Sequence, residues 1–263
     1  MPCEEVPWLK SPLRDRLLSG PLIDITVGTG EEKKNWSIHR NLLVHHSPYF
    51  AQRFGDTASD SKGKGHALTL DLQDDTPGAF ELLVKWLYQG TIDDVGLLEN
   101  DKKWDYAFAC QQLYALSERL GLSVLKNAAI DQFRLGCFQA GLVPGPEEML
   151  PVYEQTPVGS PFRKLVARIA ARQIMDPDSQ RDAVTYKKCI EGNPDFAVDV
   201  INAIRQGVGG QLLPDPTENS WCDYHHHEEE ELCPRKSKNN NGSNGANGIL
   251  KYVQVHVCLQ MHG

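Results

Sequence analysis

"SIHRNLLVHHSPYF", residues 37–50, is the stretch on which the reading of this chain turns. It holds three of the nine histidines, His39, His45 and His46, so a metal site or a catalytic base is the first question it raises. His45 and His46 are neighbours and project to different sides of a helix, so they do not share a ligand face. No cysteine lies nearby, and isolated histidines rarely hold a metal without spaced partners. His39 falls where a strand gives way to a helix, and its ring is expected to satisfy a local backbone group. The frame around the histidines carries more. Leu42 and Leu43 form the apolar part of a short helical turn. Ser47 suits a helix N-cap and Pro48 the first helical position. Phe50 and Phe54 then fall four apart on one face.

Upstream, "LIDITVG", residues 22–28, alternates: Ile23, Ile25 and Val27 on one side, Asp24 and Thr26 on the other, the pattern of a half-buried strand. "GTGEEKKN" is a turn, and "WSIH" resumes the alternation with Trp36 and Ile38 inward. Together they predict a β-hairpin. Downstream, "GDTASDSKGKGH" has no periodicity and reads as a loop. "ALTLDL" alternates again through Leu68, Leu70 and Leu72. "TPGAFELLVKWLYQG" predicts a helix capped by Thr76, led by Pro77 and stopped at Gly90, with Phe80, Leu83, Val84, Leu87 and Tyr88 as its apolar stripe.

Further helices are expected over 104–120, with Tyr106, Cys110, Leu113, Leu116 and Leu120 as the stripe, and over 123–138. Beyond residue 140 proline and glycine interrupt the pattern around one short helix. "PFRKLVARIAARQIM" is an amphipathic helix with Phe162, Leu165, Val166, Ile169 and Ile174 inward. "NPDFAVDVINAIRQG" repeats the device, with Asn193 as cap and Phe196, Val200, Ile201 and Ile204 expected to pack. Residues 236–248, "KSKNNNGSNGANG", are low-complexity and expected to be flexible. "ILKYVQVHVCLQM" reads as a late strand.

Bulk properties narrow the class. About 40% of the 263 residues are hydrophobic, enough for a real core. The net charge of −8, from 27 basic and 35 acidic residues, argues against nucleic acid as the main partner. No apolar run is long enough for a membrane span, and "MPCEEVPWLK" is not a signal peptide. Seven scattered cysteines make a poor disulfide framework and suit a reducing compartment, so a cytoplasmic or nuclear protein is expected.

The order strand, strand, short helix, Ser-Pro-aromatic helix, strand, amphipathic helix and two more helices resembles the BTB/POZ domain. "LIDITV" stands for the family's strand with its Asp. "IHRNLLVHHSPYF" stands for its His-basic-x-x-Leu…Ser-x-Tyr/Phe-Phe signature. "LTLDLQDDTPGAFELLVKWLYQGTI" matches the later strand and helix. The resemblance implies an α+β fold, a small β-sheet flanked by a helical cluster, over residues 21–138. A leader over 1–20 precedes it. A helical extension over 139–213, resembling that of small fungal BTB proteins, and a partly disordered Cys/His- and Asn/Gly-rich tail over 214–263 follow.

The resemblance implies a non-catalytic protein–protein interaction module that homodimerises and scaffolds partners. The family's interfacial charge pair maps onto Asp24 and Arg40, and its apolar interface residues onto Leu42, Leu43 and Phe50. For these three, and for Phe50 above all, the intradomain core is the competing reading. A second function is adaptor of a cullin-type ubiquitin ligase. The family's hydrophobic-x-Glu element would fall in "RFGDTASDSKGKGHA", which has no glutamate, so no residue carries over for it.

Gly28 and Gly30 do not make a dinucleotide loop, since no helix opens there. "WCDYHHHEEEELCP", residues 221–234, leaves two readings open. Cys222, His225, His227 and Cys233 have spacings that could close a structural Cys₂His₂ zinc site. Alternatively the stretch is a solvated acidic loop. A metal-dependent enzyme built on this tail is the remote third function, because four protein ligands leave no open position for catalysis.

Overall fold

The computed structural model describes residues 12–55, 69–207, 212–218 and 222–227. The expected strand over 249–261, the low-complexity run and Leu68 lie outside these residues. Within the supposed leader, Pro12–Leu17 form a helix, α1. It is tied to the domain by Asn41, whose side-chain amide donates to the carbonyls of Arg16 and Ser19 at 3.1 and 2.8 Å.

The hairpin forms as expected. β1 (Leu22–Val27) pairs antiparallel with β2 (Lys34–His39), and parallel with β3 (Thr69–Leu72), giving the order β2-β1-β3. In register, Ile23 meets Ile38, and Ile25 meets Trp36 and Leu70. The inward side chains Ile23, Ile25, Val27, Ile38 and Leu70 are buried. Because successive side chains alternate, the same register sends Leu22, Asp24, Asn35, Ser37, Thr69 and Asp71 to the outer, exposed face.

Against the inner face lie α2 (Arg40–His46), α3 (Pro48–Phe54), α4 (Pro77–Gln89) and α5 (Asn100–Leu120). Ser47 caps α3 as its sequence predicts: its Oγ accepts from the amide of Phe50 and donates to the Leu120 carbonyl at 2.6 Å. One hydroxyl thus sets the start of α3 against the end of α5. Gly121 closes α5 in the left-handed region, φ 71°, where a Cβ would sit 3.1 Å from the Pro48 ring. α5 begins a turn earlier than its apolar stripe implies, because "NDKK" offers no periodicity to read.

α6 (Ser123–Ala140) is buried all round: every residue from Leu125 to Arg134 is buried. It packs on α5, where Gly136 permits a very close approach. A Cβ there would lie 2.7 Å from the Ala107 Cβ and 3.2 Å from the Lys103 carbonyl oxygen. The extension continues with α7 (Pro146–Gln155), α8 (Pro161–Met175), α9 (Lys187–Gly192) and α10 (Pro194–Gln206). Phe162 of α8 joins the halves: its ring sits 4.9 Å from Tyr114 of α5 and 4.8 Å from Phe133 of α6.

On α10, Phe196 and Val200 are buried, but Ile201 is 64% exposed and its place inward is taken by Ala203. At 100° per residue Ile201 points some 140° from Phe196, while Ala203 returns to within about 20°.

Gly136→Ala should destabilise the chain. Alanine favours a helix over glycine by about 1 kcal/mol. The forced separation of α5 from α6 costs about 1–3 kcal/mol more than that gain where backbone must move. Urea denaturation should show a lower midpoint at unchanged slope.

Candidate functional site

The outer face of the sheet centres on Asp24. Its Oδ1 accepts from the Ser37 hydroxyl at 2.6 Å across the hairpin, and beside it the Thr26 hydroxyl donates to Asn35 at 2.7 Å. Leu22, at the head of the same strand, is 48% exposed. Arg40 looks elsewhere. Its Nε donates to the Phe54 carbonyl at 2.9 Å, and Nη2 donates to that carbonyl and to the Gly55 carbonyl at 2.7 Å. These carbonyls lie at the C-terminal end of α3, so the guanidinium serves as a C-terminal cap. Asp24 and Arg40 are therefore each engaged with different groups of their own protomer.

Leu42, Leu43 and Phe50, for which interface and intradomain core are the competing readings, lie in the core of the single chain. They are 1%, 0% and 1% exposed, inside the core that α2 and α3 share with the sheet. The Phe50 and Phe54 rings stack 6.2 Å apart, which is what anchors the Ser-Pro-aromatic helix. Side chains so placed give a second chain no surface in this conformation.

Two of the three histidines of residues 37–50, His39 and His46, make structural contacts. Nδ1 of His39 lies 2.9 Å from the Tyr88 hydroxyl, so α4 supplies its partner rather than a local backbone group. The His46 ring packs edge-on against Trp86 at 5.1 Å, and burial pulls its pKa from an ordinary 6.5 down to about 4. His45 is exposed at the helix surface.

The tail is held where the sequence suggests little order. Residues 222–227 lie across α6 and α8 as a short strap. Nε2 of His225 lies 3.0 Å from Oδ1 of Asp131 on α6, both side chains at least nine-tenths buried. Asn127 grips the His226 backbone twice, accepting from its N–H at 2.8 Å and donating to its carbonyl at 2.9 Å. Tyr224, 2% exposed, has the cationic groups of Arg134, Lys164 and Arg168 within 5.4–5.9 Å of its ring. Arg168 also donates to its hydroxyl at 3.2 Å and pairs with Asp223 at 3.6 Å.

Of the four residues of the zinc reading, Cys222, His225, His227 and Cys233, the two histidines can be placed. His225 is turned to a carboxylate of α6, and the His225 and His227 rings meet edge-on at 5.7 Å. Cys233 and the side chain of Cys222 lie outside the described residues. Among the described residues no three or more His, Cys, Asp or Glu side chains gather as metal ligands.

The strap is the feature that sequence reading missed. Its signals are present in hindsight. Lys164, Arg168 and Arg172 recur every four residues and share one stripe of α8. Lys164 donates to the Asp223 carbonyl at 3.3 Å, and Arg172 donates to the carbonyl of Leu213 in the preceding segment. Asn127, Asp131 and Arg134 are polar residues on a helix with no solvent-facing side in that stretch.

Two clefts of about 280 Å³ each flank residues 213–217. Cys137 lines one of them, but burial pushes its thiol pKa far up and holds it protonated. Burial does the same to Cys110, and raises Cys189 to about 11. A protonated thiol is a poor nucleophile.

A three-stranded sheet with one exposed face, backed by a helical shelf, makes this an α+β domain. Residues 13–123 match the BTB/POZ domain family model, and this part of the chain is a BTB/POZ domain. The match begins in α1 and ends as α6 starts, so α6 and the extension lie beyond it. BTB/POZ domains are protein–protein interaction modules. No curated protein matches the chain.

Two outcomes follow from the geometry. Arg40→Ala removes charge-assisted bonds to the end of α3 and should cost about 1–3 kcal/mol in denaturation. The pH dependence of stability should carry a mark of His46. Its folded pKa lies below its unfolded value, so the unfolded chain takes the proton first. Its contribution is complete above pH 6.5 and declines as pH falls toward about 4. His46→Gln should flatten that part of a pH series of melting temperatures.

Proposed function

We propose that the chain is a non-catalytic scaffold that homodimerises through its BTB/POZ domain and presents its helical extension to further protein partners. The observation that carries this is the exposed outer face of the sheet, with Leu22 beside Asp24 on the central strand. An exposed leucine next to a carboxylate supplies an apolar centre and a register-fixing charge, the two elements a two-fold contact needs. Arg40 can contribute across such a contact only by leaving the end of α3, so Asp24 is the charge the proposal rests on.

Size exclusion with light scattering tests it. At tens of micromolar the expected mass is twice that of the 29.4 kDa chain. Asp24→Lys should raise the dimer dissociation constant at least about tenfold while leaving the melting temperature of the dissociated chain nearly unchanged. A wild-type chain that stays strictly monomeric at that concentration overturns the homodimer.

A further inference from the structure

The strap makes the contacts of a bound peptide rather than those of a folded layer. Asp223 offers a carboxylate and a carbonyl to Arg168 and Lys164 on α8. Tyr224 inserts a ring among the cationic groups of Arg134, Lys164 and Arg168. His225 reaches Asp131, and Asn127 reads both backbone groups of His226. The strap enters as a 3-10 turn over Cys222–Tyr224 and then runs on through residues 225–227, and its contacts change from side chain to backbone along successive residues. An aromatic anchor in a desolvated notch, ringed by polar contacts, is the arrangement that concentrates binding energy at protein interfaces. The groove side chains all come from α6 and α8: the Asn127 contact spans 99 residues of sequence, and the Lys164 and Arg168 contacts span 59 and 56.

Charge complementarity also follows the direction of the strap. The basic stripe of α8 meets Asp223, and the acidic Asp131 of α6 meets an imidazole. The groove therefore reads an acidic residue, a tyrosine and a histidine in that order.

We propose that the groove between α6 and α8 is a peptide-docking site whose occupant in the isolated chain is its own segment 223–227, and that the same segment of a second copy is its partner in trans. Such exchange links chains by a surface separate from the sheet of the BTB/POZ domain. It rests on the groove geometry and not on the homodimer reading.

The probe is a fluorescent peptide covering residues 221–228, with serine replacing cysteine to prevent disulfides. In wild-type chain the tethered strap competes at an effective concentration near the millimolar range, so peptide binding should be weak. In full-length Tyr224→Ala the strap loses its anchor. That chain should bind the peptide with a micromolar dissociation constant, at least tenfold tighter than wild type. Adding Asn127→Ala should reduce this at least tenfold. Asp24→Lys, on the sheet, should leave peptide binding unchanged, which separates this proposal from the homodimer.

No binding up to millimolar peptide, in a Tyr224→Ala chain with a wild-type circular dichroism spectrum and a cooperative melt, overturns the proposal. Should that variant not fold, hydrogen exchange on the wild-type chain decides. Millimolar peptide should accelerate exchange of the His226 amide, which Asn127 now holds. An unchanged rate overturns the proposal.

Discussion

Gly136 rests its bare Cα against Ala107 and the Lys103 carbonyl, and by that contact α6 lies so close to α5 that it becomes an interior helix. The rest of the architecture depends on this approach. A helix buried on one side separates a core from water. A helix buried all round must have a core or a partner on every side, and α6 has four. α5 covers one side, and the turn at Val95 another, with its amide held by Gln132 at 2.8 Å. Phe162 of α8 packs on a third, and the strap at His225 and His226 closes the fourth. The BTB/POZ domain and the extension are therefore not beads on a linker. They are packed together along α6, and the aromatic cluster Tyr114, Phe133 and Phe162 draws on both.

Packing along one helix leaves chain ends to be closed, and the chain uses one device repeatedly. Arg40 caps the end of α3. Arg163 does so for α7, donating to the Tyr153 and Thr156 carbonyls while lying over the Tyr153 ring at 4.9 Å. Arg181 holds the carbonyls of Val143 and Pro144, and Arg172 that of Leu213. A guanidinium suits this task because its planar fork satisfies two acceptors at once and stays charged at any working pH. Helix-end carbonyls carry partial negative charge, so the pairing gains from the helix dipole too.

What the sequence made legible was whatever is local. The hairpin register, the Ser47 and Thr76 caps, Gly90 and Gly121 as helix ends and the apolar stripes of α4 and α8 all follow from residues a few positions apart. The likeness to the BTB/POZ domain rested on those same local signals in order. What stayed illegible was set by distant partners. Nothing within a few residues of Arg40 says that it caps α3. Leu42, Leu43 and Phe50 look the same in sequence whether they face a core or a second chain, and only the surrounding helices place them inside. The ligand-like spacing near His225 is local and visible, whereas its contact with Asp131 is made across a long stretch of chain.

That difference bears on how the two surfaces of this protein relate. The exposed face of the sheet is built from residues of one continuous stretch of the chain, Leu22 to Asp71. The groove between α6 and α8 is formed by one part of the chain and filled by another. Its floor carries Asn127, Asp131 and Arg134, side chains that a helix interior would ordinarily replace with apolar groups. Burying polar side chains is tolerable only where they find partners, and the strap supplies hydrogen bonds to Asn127, an imidazole to Asp131 and an aromatic face to Arg134. The polarity of α6 is thus a property of the pair, helix and strap together. The contacts between them combine a backbone register set by Asn127, an imidazole against Asp131 and the ring of a single tyrosine.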